Sequence, residues 1–208
     1  DSVTERADGR NMLDALERSN LFIVPLDDQR QWYRYHHLFA DVLRKRLEHQ
    51  HPQMLPELHR RASQWYEQNG FVSEAIRHTL AAGDQNLAIQ LIEDNGCQLM
   101  MRGEGFTLLN WIEAVEAHSE DRPWLAILKA WAFALNGYLD RVESALLPAD
   151  RFVSSPTPNL KMKIMLGSMA AVRAYLANMR GDTGQAVVFA QQALGYLPDR
   201  VPFARSLR

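Results

Sequence analysis

Two adjacent histidines, His36 and His37, are the first residues in this sequence whose chemistry could matter. Neighbouring side chains on a helix diverge by about 100°, so the two rings do not converge on one ion. Asp41 stands four residues after His37 and would add a second ligand there, while Ala40 holds the matching place for His36. The other reading of the pair from the residues themselves is a capping or hydrogen-bonded histidine at a helix start. His49, His51 and His59 flank Pro52 without a metal-ligand spacing and read as a solvated loop. Arg44-Lys45-Arg46 and Arg60-Arg61 could meet phosphates. They flank acids and carry no interleaved aromatics, so they read as a solvated face. Glu113 and Glu116, one turn apart beside Trp111 with Glu104 upstream, could pair for acid–base work. The outer face of a helix accounts for them without catalysis. Cys97, next to Gly96 and near Met100 and Met101, reads as a packed thiol with no base to activate it. Trp65, Tyr66 and Trp131 read as core, whereas Trp111 and Trp124 border helix ends and are the aromatic candidates for a ligand or partner surface.

Several motifs are missing: the phosphate loop G-x-x-x-x-G-K-[ST], the dinucleotide fingerprint G-x-G-x-x-G and the nucleophile elbow G-x-S-x-G. With one cysteine, the chain forms no internal disulfide and no multi-cysteine zinc site, which suits a cytoplasmic setting. No apolar run reaches the ~18 residues of a membrane span. The polar start, DSVTERADGR, is neither a signal peptide nor an initiator methionine, and the chain is expected to be a fragment or processed product. At 208 residues, 47% hydrophobic and 23% charged, it is long and apolar enough to bury a core. The net charge of −2 exerts no general pull toward nucleic acid, although residues 30–61 carry a local excess of basic groups.

The elements that must position these residues change character along the chain. Asn11 to Leu21 has helical spacing of Met12, Leu13, Leu16 and Leu21. LFIVPLD and Gln31 to Tyr35 read as two strands around the turn Asp27 to Arg30. Leu38, Phe39, Val42, Leu43 and Leu47 then form an amphipathic stripe. Helix, hairpin, helix predicts the end of a winged-helix module.

From Leu55 onward the pattern is helical. The spacing predicts helices over 56–69, 72–82, 86–95, 106–117, 123–136, 139–147, 160–180 and 183–197. Gly70, Gly83, Gly96, Gly137 and Gly181 follow apolar periodic segments and are expected as left-handed helix caps. Phe152 to Pro158 reads as a loop. The text around Gly70, Gly137 and Gly181 repeats one theme: small and aromatic residues, a tight turn, then alanines. Tyr175, Gly181, Ala186, Ala193 and Pro198 fall close to the tetratricopeptide slots, which predicts stacked helical hairpins.

The strings NLFIVPLDDQRQWYRYHHLFADVLRKRL and ELHRRASQWYEQNGFVSEAIRHTLAAGD resemble the MalT-type family, the large ATP-dependent LuxR-family transcription regulators of the STAND signal-transduction NTPases. Family members join an NTPase domain, a winged helix, a helical-repeat sensor and a C-terminal helix-turn-helix. The resemblance implies that residues 1–50 are the C-terminal part of the winged helix and residues 51–208 the start of the TPR-like sensor. In STAND proteins a winged-helix histidine within Met-His-Asp-Leu contacts the ADP phosphate in the closed state. Tyr35-His36-His37-Leu38 stands in that place, so the resemblance assigns His36 that contact in the full-length protein.

The expected fold is therefore mainly α, an α-α superhelix of TPR-like hairpins preceded by a winged-helix remnant with one β-hairpin. The expected function is the regulatory and sensor segment of a MalT-like regulator. It would bind an inducer small molecule or a regulatory protein and couple it to ADP/ATP-dependent self-association. DNA would be bound only through an absent helix-turn-helix domain. No cofactor is expected in this segment itself, and no metal or membrane. The alternative is a protein–protein interaction scaffold without a small-molecule effector.

Overall fold

The computed structural model describes residues 2–118, 122–153 and 159–197. These residues are mainly helical with one two-stranded sheet. They fall into two compact units, one through Asp84 and one from Gln85.

The first unit opens with α1 (Gly9–Arg18). Asp8 precedes it, but its carboxylate is taken by Arg6 at 2.7 and 3.0 Å and leaves the helix start uncapped. Next come β1 (Ile23–Pro25) and β2 (Tyr33–Tyr35), antiparallel, with Ile23 opposite Tyr35 and Pro25 opposite Tyr33. Both strands are shorter than the apolar text predicts, for identifiable reasons. Phe22 takes a positive φ of 55° and breaks the extended run before Ile23. At the other end the Asp27 carboxylate accepts the N–H groups of Gln31 and Trp32 at 2.9 and 2.8 Å, closing the turn. α2 (His37–Gln50) presents Phe39 to the rings of Phe22 and Tyr35, at 5.2 and 5.8 Å.

A 3-10 turn, Pro52–Met54, leads into α3 (Leu55–Gln68), which pairs with α4 (Val72–Ala81). Ala75 and Ile76 are fully buried between them. Ser63 and Thr79 are buried too, and each hydroxyl reaches the Ala75 carbonyl, at 3.0 and 2.9 Å. Their oxygens also lie 2.6 Å apart. Two hydroxyl protons can fill two of these three contacts at a time, and neither buried group is left without a partner. Trp32, from the hairpin turn, meets Trp65 and Phe71 edge-on and ties the sheet to the α3–α4 pair.

The second unit holds α5 (Gln85–Met101), α6 (Gly105–Val115), α7 (Pro123–Leu135), α8 (Val142–Phe152), α9 (Leu160–Met179) and α10 (Thr183–Tyr196). Successive helices pack as pairs, α5 with α6, α7 with α8 and α9 with α10, and α7 also touches α5 and α9. α7 is the centre of the core: Leu125, Ile127, Leu128, Ala130, Ala132, Phe133 and Ala134 are all buried. Arg173 of α9 binds Glu143 and Asp150 of α8 at 3.1 and 2.8 Å.

Two expectations need correction. Gly96 does not end a helix. It lies inside α5, where an added Cβ would stand 2.8 Å from Leu128 Cδ1, so the glycine permits close approach of α5 and α7. The reversal comes instead at Gly103, with φ +79°. α8 runs past Leu147, through Pro148, to Phe152. Pro148 has no N–H, which leaves the Ser144 carbonyl without its helical donor. Of the expected loop 152–158, residues 154–158 lie outside the described residues, as does Pro198. Among the described residues no helix is long and apolar enough to cross a membrane.

Candidate functional site

A cleft that mixes charge with apolar surface lies between α6, α7 and α8, with a volume of about 410 Å³. α7 supplies one face at helical spacing: Arg122, Leu125, Ala126, Lys129 and Phe133. Glu113 and Glu116 enter from α6 and the turn after it, and Arg141, Ser144 and Pro148 from the α8 side. Lys129 is paired with Glu116 at 2.6 Å, and Arg122 reaches Glu93 at 3.5 Å. Burial holds the Glu93 carboxyl above its ordinary range, with Arg122 acting against that rise. Arg141 has no carboxylate partner among the described residues. Its guanidinium sits 5.7 Å from both the Phe133 and Tyr138 rings, and Lys129 Nζ stands 5.8 Å from Phe133.

In the first unit, His36 occupies the N-cap position of α2, with φ −54° and ψ 134°. Its N–H donates to the Phe22 carbonyl at 2.7 Å. No side chain caps the helix and no acid lies in its first turn. The His36 ring is exposed beside the His37 ring, their centroids 4.4 Å apart. The backbone N–H groups of the first turn and an exposed imidazole thus stand together, an arrangement chemically suited to a phosphate.

The tryptophans singled out for a binding surface lie outside this cleft. Trp111 is half-buried in α6 and Trp124 half-buried at the start of α7, and neither lines the cleft. The indole N–H of Trp124 is buried without a hydrogen-bond partner. Cys97 lies inside α5, with Met100, Met101, Trp131 and Leu135 around it, and burial pushes its thiol up to about 11. Within the basic runs Arg44 pairs with Asp41, and Arg60 and Arg61 pair with Glu57. These two arginines hold the Glu57 carboxyl well below the usual range.

His59 is not in a solvated loop. It sits on α3 with Nδ1 2.8 Å from Nδ1 of His78 on α4. Sequence reasoning missed the pair because 19 residues separate the two and only the hairpin joins them. Arg77 lies 3.3 Å from His78 Nε2. An arginine can only donate, so the His78 proton is placed on Nδ1, whence it donates to His59. Tyr66 stacks on the His78 ring at 5.3 Å. Burial, then Arg77, then His59 lower the His78 pKa to about 4, and burial with Arg77 lowers that of His59.

A pH prediction follows from that geometry. The unfolded chain protonates His78 near the ordinary 6.5 and the folded chain only at about 4, with His59 lowered in the same direction. Stability contributed by the neutral pair is therefore complete above about pH 6.5 and falls as the pH drops toward 4. Urea midpoints measured from about pH 7.5 to 4.5 should decline, and His78→Asn should flatten that decline. An equal slope in the variant would remove the pair from the explanation.

Among the described residues no group of three His, Cys, Asp or Glu is placed to hold a metal ion.

Comparison with known proteins bears on both units. Residues 1–55 match the family model of the MalT winged helix domain. The HTH-type transcriptional regulator MalT of Klebsiella pneumoniae is 32% identical over 202 residues, covering 94% of this chain and 21% of that protein. MalT of Cronobacter sakazakii is 31% identical over 197 residues, with the same coverage. The serine/threonine-protein kinase PknK of Mycobacterium tuberculosis is 39% identical over 167 residues, covering 70% of this chain and 15% of the kinase. The chain thus spans about a fifth or less of the length of these curated relatives. No solved structure matches. With a MalT winged helix domain over residues 1–55 and likeness to MalT along 94% of its length, the chain is of the MalT type and corresponds to a segment of those proteins.

Proposed function

We propose that this chain is the signal-receiving segment of a MalT-like transcriptional regulator. Its helical pairs bind an inducer or a regulatory protein. That binding biases domains outside the chain between a closed ADP form and an ATP-bound, self-associated form that engages DNA. The observation that carries this reading is the company the segment keeps. It is similar to part of an HTH-type regulator and to part of a protein kinase, two proteins with different outputs. A segment shared by both serves reception and coupling better than either output. A signal acts by binding one of the two states more tightly than the other, so the receiving surface must also communicate with the nucleotide state.

His36 is the proposed link to nucleotide. Its exposed ring at the uncapped start of α2 suits an ADP phosphate. In the full-length protein, His36→Ala is expected to raise transcription without inducer and to speed ADP release. If both stay unchanged, the latch is wrong. For the receiving role, metabolite fractions below about 1 kDa are added to the chain and its thermal unfolding is followed. A fraction that raises the midpoint supports inducer binding. Capture of a specific protein with no low-mass ligand supports the scaffold reading instead.

A further inference from the structure

Five charged side chains line the α6–α7–α8 cleft, and their pairing leaves a residue of one charge of each sign. Lys129 is satisfied by Glu116, and Arg122 by Glu93. Glu113 and Arg141 have no oppositely charged partner among the described residues. Both are exposed, so neither is held by burial, and both face the same cavity. Arg141 is nonetheless fixed in place by the Phe133 and Tyr138 rings, at 5.7 Å from each. Between these polar points the lining is apolar, from Ile112, Leu125, Phe133 and Ala145.

We infer that this cleft binds a zwitterion with an apolar side chain, a free α-amino acid or a dipeptide. The ligand carboxylate meets Arg141, which can grip it with two parallel N–H donors. The ligand ammonium meets Glu113, and the apolar side chain lies over Phe133. A cavity of about 410 Å³ is large enough for either ligand size. A simple anion would gain Arg141 but face Glu113, and a simple cation the reverse. Charge complementarity therefore selects a ligand bearing both signs. The assignment rests on the receiver reading above and names the class of signal.

The test uses the 208-residue chain. L-leucine, L-phenylalanine and the dipeptide Leu-Ala are titrated by calorimetry and saturation-transfer NMR, beside N-acetyl-L-leucine and L-leucinamide. At least one zwitterion should bind, and removing either of its charges should weaken binding about tenfold or more. Arg141→Met and Glu113→Gln, both at exposed positions, should each produce a similar loss. The spread between leucine and Leu-Ala tells which charge separation the cleft fits. The inference is overturned if no zwitterion binds at up to about 10 mM, or if a capped analogue or either variant binds as well. A low-mass fraction that stabilises Arg141→Met as well as the unaltered chain would overturn the zwitterion while leaving the receiver reading intact.

Discussion

Leu128→Ala is expected to destabilise the second unit by about 3 kcal/mol, near the middle of the range for a fully buried leucine. The size of the effect depends on how far the surroundings can collapse into the space. Here one wall is the α5 backbone at Gly96, which has no side chain to swing inward, so most of the cavity should persist. The companion variant sharpens the test. Gly96→Ala in the unaltered chain places a methyl 2.8 Å from Leu128 Cδ1. Overpacking of this kind costs about 1–3 kcal/mol, and roughly 1 kcal/mol is returned by the better helix propensity of alanine. In the Leu128→Ala background the same methyl enters empty space, and only the gain remains. The two substitutions should therefore be strongly non-additive, with Gly96→Ala destabilising alone and stabilising in the double variant. Urea denaturation of the four proteins measures this. Additive changes would mean that α5 and α7 do not approach at Gly96 as described.

Cys97 is expected to react with iodoacetamide at neutral pH at least about 100-fold more slowly than a free cysteine. The thiolate is the reacting species, and a thiol pushed up to about 11 holds far less of it at pH 7 than one at the ordinary value of about 8.5. The cause is burial, since the residue is only 4% exposed inside α5. In 8 M urea the rate should rise to that of a model thiol. A native rate within a few-fold of the unfolded rate would show that Cys97 is accessible and activated, and would reopen it as a nucleophile.

Much of the architecture is legible in local sequence. Helices α3, α4, α7, α9 and α10 begin and end within a residue or two of where apolar spacing and punctuating glycines place them. The reason is that capping, propensity and amphipathic period all act over a few residues and agree with one another. The hairpin was visible for the same reason, through β-branched and aromatic runs around an Asp-rich turn. Its strands came out short because Phe22 and Asp27 act through backbone φ and a side-chain turn, which hydropathy does not register.

What local sequence left open depends on distant partners. Gly96 and Gly103 look alike as text, but one lies in mid-helix because Leu128, 32 residues on, fills the space where its side chain would be. His59 and His78 acquire a shared proton only because α3 folds back on α4. Glu113 and Glu116 are adjacent on one helix face, yet Lys129 takes up one and leaves the other to the cleft. The sequence by itself determined that this protein is a short hairpin module followed by paired helices of MalT type. Tertiary structure alone decided which charges are spent on each other and which remain for a ligand, because the pairing of charges follows distance in space.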